Sequence, residues 1–188
     1  VKLRLTARGK TQQILKEELA ALEQQLVPQI EELVYGYDKT SLEEALGELL
    51  KSQNKKMATA ESCNGGYIAH KLTSISGSSA YYWGSVIAYD NRIKEELLNV
   101  PSETLKTEGA VSEATVRAMV KGLLQQFPVD IGIAVSGIAG PTGGTPEKPV
   151  GTIWLAVGDN DRVHTQKIQL GKDRLRNIQY ASVHALNM

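Results

Sequence analysis

Cysteine is nearly missing from this chain of 188 residues: there is one, Cys63, and the three histidines are scattered away from it. A single thiol cannot close an intramolecular disulfide, and no Cys/His cluster exists to hold a structural zinc. An excess of charge of either sign is also missing, since 21 basic and 21 acidic residues leave a formal net charge of zero. A nucleic-acid or membrane surface would favour a basic excess, so neither partner is expected. No apolar run approaches membrane-spanning length and no signal peptide is visible, so a cytoplasmic protein is expected. Internal repeats and low-complexity tracts are lacking too. What is present, 41% hydrophobic and 22% charged residues, is ordinary for a globular chain. At this length a chain can bury roughly two-thirds of its unfolded surface and needs no staple. It starts without methionine at a strand-like Val1-Lys2-Leu3-Arg4-Leu5, as expected of a fragment of something longer.

Two regions separate near Tyr35-Gly36-Tyr37-Asp38. The first holds the opening strand, a loop at Ala7-Arg8-Gly9-Lys10 and a helix from about Thr11 to Leu26, with Leu15, Leu19, Leu22 and Leu26 on one stripe. Pro28 is expected to break that helix. So short a piece cannot bury a core of its own and should dock elsewhere. The second region alternates helix and strand. Ser41 with Glu44 spells a capping box ahead of a helix carrying Leu42, Leu46, Leu49 and Leu50. Strands are expected at Met57–Ala60, Ser85–Tyr89, Val129–Val135, Val150–Val157 and, alternating like an edge, Val163–Leu170. Helices should follow Gly66, Asp90, Ser112 and Lys172. Such alternation predicts a three-layer α/β/α sandwich with a mostly parallel or mixed central sheet.

In such a domain, sites gather outside the carboxyl ends of the strands. Four points qualify: the elbow Glu61-Ser62-Cys63-Asn64-Gly65-Gly66, Tyr89, the glycine loop from Ser136 to Gly144, and Gly171–Arg174. At a strand-to-helix elbow a polar side chain is held outward while the following amides converge, the geometry a nucleophile and its oxyanion hole need. A phosphate-binding turn or a plain connector would look similar. Serine needs a base. His70, His164 and His184 lie in regular elements and read as structural, whereas a desolvated lysine loses its proton more readily and can keep a nearby phenol ionised. Tyr89 and Lys94 could both face the crevice, although a strand tyrosine and a solvated helix lysine are the plainer reading. Cys63 is the rival nucleophile, but a lone cysteine is more often a small buried hydrophobe. Glu61 could act as acid or base, or hold the loop. Arg174, at a helix start, suits a phosphate or carboxylate through its planar fork. Arg4, Arg8 and Lys10 lack an aromatic platform for nucleic acid.

Six stretches occur in order that together carry a resemblance: Ser41–Glu44, Thr59–Gly66, Gly77–Ala80, Gly109–Glu113, Ser136–Gly144 and Lys148–Thr152. From about residue 36 to 188 the chain resembles the carboxy-terminal domain of the CinA (competence/damage-inducible) family, its nicotinamide-nucleotide amidase domain. Residues 1–35 resemble the end of the KH-like segment before it. The resemblance implies metal-independent hydrolysis of the carboxamide of nicotinamide mononucleotide, without cofactor, to nicotinic acid mononucleotide and ammonia. It implies Ser62 as nucleophile, Tyr89 and Lys94 as its activating partners, and the amides of Cys63, Asn64 and Gly65 as oxyanion donors. Glu61, Gly137, Gly140, Thr142, Gly143 and Arg174 are the expected substrate contacts, and a homo-oligomer is expected. The family usually has threonine where Asn64 stands, so a hydroxyl that could touch substrate is replaced. The alternative is a nucleotide-sensing or scaffold module that kept the pocket and lost turnover. A third reading places nucleic-acid binding at Arg4, Arg8 and Lys10.

Overall fold

Local signals and long-range pairing can be followed in the computed structural model, which describes residues 3–188 and divides into two units, Val1–Thr40 and Ser41–Met188. In the first unit the Thr11 hydroxyl caps helix α1 (Gln12–Ile30), none of whose residues is buried. Pro28 does not break this helix where expected; it sits in the last turn, and the helix ends two residues later. There it removes one hydrogen bond and crowds the carbonyl four residues back, with only two further residues left to carry the helix. The expected opening strand is not formed over Leu3–Leu5, and Val1 and Lys2 lie outside the described residues. A strand needs a ladder partner, and the sheet is made entirely from the second unit.

That unit opens with the expected capping box. Ser41 Oγ accepts from the Glu44 amide while the Glu44 carboxylate accepts from the Ser41 amide at 2.7 Å, starting α2 (Leu42–Ser52). There follow β1 (Met57–Glu61), α3 (Tyr67–Thr73), β2 (Tyr82–Ile87), α4 (Asn91–Leu98), α5 (Ser102–Thr107), α6 (Glu113–Gln126), β3 (Ile131–Gly137), β4 (Thr152–Gly158), β5 (Val163–Gln169) and α7 (Arg174–Leu186). The strands form one mixed sheet in the order β2-β1-β3-β4-β5. β1 is parallel to β2 and β3, and the two pairings β3–β4 and β4–β5 are antiparallel. β5 therefore points the same way as β1, β2 and β3, and all four carboxyl ends share one edge. Two cores lie on opposite faces. Leu50, Ile68, Leu72, Ile133, Leu155 and Ala185 pack α2, α3 and α7 on one side. Leu98, Met119, Val120, Leu123 and Ala134 pack α4 and α6 on the other. This is the expected α/β/α sandwich.

Element ends shift where tertiary pairing decides them. β2 begins at Tyr82 and stops at Ile87, so Tyr89 lies in the turn beyond the strand, where Asp90 caps α4. The third strand runs to Gly137, later than its apolar run suggested, because β1 and β4 flank it. Helix α4 crosses α6 so closely that a Cβ on Gly122 would fall inside the Leu98 carbonyl. We expect Gly122→Ala to cost about 1–3 kcal/mol as overpacking, lowering the melting temperature by roughly 2–4 °C per kcal/mol. A thermal melt unchanged by the substitution would show that the two helices separate freely.

Candidate active site

The elbow begins with a buried charge. Glu61 is fully buried and its carboxylate accepts from Asn64 Nδ2 at 2.7 Å, the Ile68 amide at 2.9 Å, the Ala69 amide at 2.8 Å, Thr59 Oγ1 at 3.2 Å and Ser85 Oγ at 3.3 Å. Burial raises its pKa, against the pull of these donors. The expectation that Glu61 touches substrate is corrected: no face of this carboxylate is open. It caps α3 in place of Gly66, whose φ of 92° completes the turn and which has no side chain to offer.

Ser62 follows at once, nearly buried, its amide bonded to the Val135 carbonyl at 3.0 Å. Of the three amides expected at an oxyanion hole, that of Gly65 is spent on the Ser62 carbonyl at 3.1 Å, which closes the turn. The Cys63 and Asn64 amides donate to no other residue among the described ones. The Cys63 thiol is buried, and desolvation pushes its pKa up to about 12, with the Arg174 and Lys94 cations opposing only in part. A thiol so held is neutral at physiological pH and a poor nucleophile. Asn64 turns its side chain inward, donating to Glu61 and, at 3.4 Å, to Ser182 Oγ on α7, while its Oδ1 is buried without a partner. The substituted position thus faces the protein interior, not a ligand.

Lys94 lies on α4, 1% exposed, with Nζ donating to the Ala88 carbonyl at 2.7 Å and to that of Tyr89 at 3.4 Å. Desolvation lowers its pKa, partly offset by Asp90. The segment it holds is fixed in turn, because the Ala88 amide bonds the Glu61 carbonyl at 2.8 Å. The expected Tyr89–Lys94 side-chain pair is not formed. The Tyr89 hydroxyl, on an exposed ring, instead accepts from Arg174 Nη2 at 3.3 Å, and Arg174 Nη1 donates to the Gly140 carbonyl at 2.8 Å. The fork of Arg174 therefore joins the ends of three segments that the sequence placed on one edge. The three histidine rings hydrogen-bond none of Ser62, Tyr89 and Lys94.

Within the glycine loop, Gly137 is packed: a Cβ there would lie 2.6 Å from Ile153 Cγ1, so it makes room for β4 and not for a ligand. Gly140 is buried against Val150, and its use is the carbonyl taken by Arg174. Thr142 and Gly143 are exposed, and a Cβ on Gly143 would meet nothing closer than 3.7 Å. Asn177 fixes the loop to α7 by donating to the carbonyls of Ala139 and Gly171, both at 2.9 Å. Asn177 and Ser182 were missed from sequence. Their signal was available: both are polar residues in the buried stripe of α7 beside Ala181 and Ala185. Two open clefts, of about 570 and 600 Å³, lie on the α6 side, and neither is lined by Ser62, Tyr89, Lys94 or Arg174.

This arrangement can be set beside known proteins. The profile described as the CinA C-terminal domain matches residues 39–188. The chain belongs to the CinA family. A CinA-like protein of Cytophaga hutchinsonii is 52% identical over 188 residues, which is all of this chain and 45% of that protein. One from Kosmotoga olearia is 41% identical over 187 residues, again 45% of its own length. The chain thus spans about half the length of these CinA relatives. Among solved structures, competence damage-inducible protein A of Klebsiella pneumoniae superposes with a TM-score of 0.75 at 35% identity, covering 77% of this chain and 90% of that one. The competence/damage inducible protein CihA of Agrobacterium tumefaciens gives 0.70 at 35% identity, covering 81% and 100%. The CinA match covers every residue of the site just described. No described helix is long and apolar enough to cross a membrane.

Proposed function

We propose that residues 36–188 form a nicotinamide-nucleotide amidase that hydrolyses the carboxamide of nicotinamide mononucleotide through an acyl-enzyme on Ser62. One observation carries this reading. Ser62 follows the carboxyl end of β1, ahead of two amides that no other described residue uses, while Lys94, buried on α4 after the neighbouring strand β2, has only main-chain carbonyls as hydrogen-bond partners. A lysine desolvated in this way gives up its proton more readily than one in water.

In this reading Ser62 Oγ attacks the carboxamide carbon as its proton passes to Lys94. The Cys63 and Asn64 amides hold the tetrahedral oxyanion. The C–N bond then breaks, the leaving nitrogen takes the proton back from Lys94, and ammonia departs; Tyr89, whose hydroxyl pairs with Arg174 and not with Lys94, stands outside this transfer. Water attacks the resulting ester, returning Ser62 and releasing the carboxylate. No metal or cofactor is needed to balance these steps. Arg174 would contact the single phosphate, and the exposed Thr142 and Gly143 the ribose. A cytoplasmic homo-oligomer, with residues 1–35 as the end of a KH-like segment, completes the proposal.

The test is ammonia release from nicotinamide mononucleotide by this chain without added metal. Binding of the nucleotide with no turnover would replace the enzyme by a sensor. Arg174→Ala should then lower kcat/KM for the mononucleotide by about 10- to 100-fold, as loss of a charge-assisted contact does. Its effect on the phosphate-free riboside should be smaller. Equal losses on both substrates would remove Arg174 from phosphate recognition.

A further inference from the structure

One charged group of the domain has neither solvent nor an ion-pair partner among the described residues, and the chemistry above does not use it. Glu61 gathers donors from β1, β2, the elbow and the first turn of α3. We propose that Glu61 is the positioning residue of the elbow: it sets the direction of the Cys63 and Asn64 amides and the seat of Ser62, and Asn64 carries that constraint to α7 through Ser182. This inference rests on the amidase reading of Ser62.

Stability alone does not account for a carboxylate here, because burying a charge is costly and a helix start is ordinarily capped by a serine, threonine or aspartate at the N-cap itself. This helix has glycine there instead. A cap at position 66 would satisfy α3 but leave the Asn64 side chain without its 2.7 Å acceptor and the turn held by main-chain bonds alone. Glu61 holds that turn at its entry, at its middle through Asn64 and beyond its exit through Ile68 and Ala69. The turn is held without drawing on the Cys63 and Asn64 amides, which stay available to an oxyanion. Ser182, which receives the second contact of Asn64, lies on the helix whose first turn carries Arg174. The elbow and the guanidinium that reaches Tyr89 are therefore referred to one rigid element.

Glu61→Gln keeps the shape and halves the acceptors. Three quantities test it: kcat and KM for nicotinamide mononucleotide, the rate at which a fluorophosphonate labels Ser62, and a thermal melt. In protein that still melts cooperatively, we expect kcat and the labelling rate each to fall about 100-fold, the size of effect a displacement near 1 Å produces, with KM nearly unchanged. Normal rates per folded molecule, with only a lower melting temperature, would overturn the proposal. Should that variant not fold, Asn64→Ala removes one donor and keeps the backbone amide. It should slow labelling about tenfold at constant KM, and an unchanged rate there would equally overturn the proposal. A parent chain that neither turns over nor takes the label fails before any substitution, and that result would sink the amidase reading and this inference with it.

Discussion

Ser62→Ala should leave the fold intact and reduce ammonia release by at least about four powers of ten, as removal of a catalytic nucleophile does. The fold should survive because what fixes Ser62 is its backbone: the amide is bonded to Val135 and the carbonyl accepts from Gly65. The hydroxyl has no hydrogen-bond partner on which the turn depends. Nucleotide affinity should be retained, since the proposed phosphate and oxyanion contacts come from Arg174 and main-chain amides. Turnover equal to the parent's would remove Ser62 as nucleophile. Cys63 would be a poor replacement, because burial keeps its thiol protonated up to about 12.

Lys94→Met should cost about 10²–10⁴ in kcat, the range of a general base, while leaving stability at neutral pH equal or higher. The two effects have one cause. The side chain is buried with its pKa depressed by desolvation. A depressed folded pKa means the stability contribution is complete above the unfolded lysine value and is lost as pH falls through the folded value. At neutral pH the parent therefore bears a burial cost that methionine, of similar length, does not. Replacing a buried ionisable group by a well-packed hydrophobe is often neutral or stabilising. For catalysis the sign runs the same way: the neutral amine is the base, so the rate should rise with pH through an apparent pKa below the ordinary lysine range. That limb should disappear in Lys94→Met. A parent and a variant with superimposable pH–rate profiles would exclude Lys94 as the base.

Much of the scaffold was legible because it rests on short-range rules. Ser41 with Glu44, Asp90 and Ser112 each capped the helix expected of them, and the apolar run before Ser136 became a central strand. The short helix α5 carried no such periodicity and escaped notice. Pro28 was misplaced as a breaker because its effect depends on how near the helix end already lies. Tyr89 was assigned to a strand on composition, whereas the cap at Asp90 and the extent of pairing with β1 end that strand at Ile87.

Within the second unit, α5 apart, the sequence by itself determined the order of helices and strands, the glycine turn after Asn64 and the confluence of candidate residues beyond strand ends. Those follow from periodicity, capping and turn chemistry within a few residues. Only the tertiary structure decided the partners. It gave Glu61 to the amides of α3, Gly65 to the turn, Arg174 to Tyr89 and Gly140, Lys94 to two carbonyls, and Asn64 to Ser182. The reason is physical: a buried polar group must take whichever donor or acceptor the packed helices and strands bring within about 3 Å. That neighbour can lie more than a hundred residues away along the chain, as Ser182 does from Asn64.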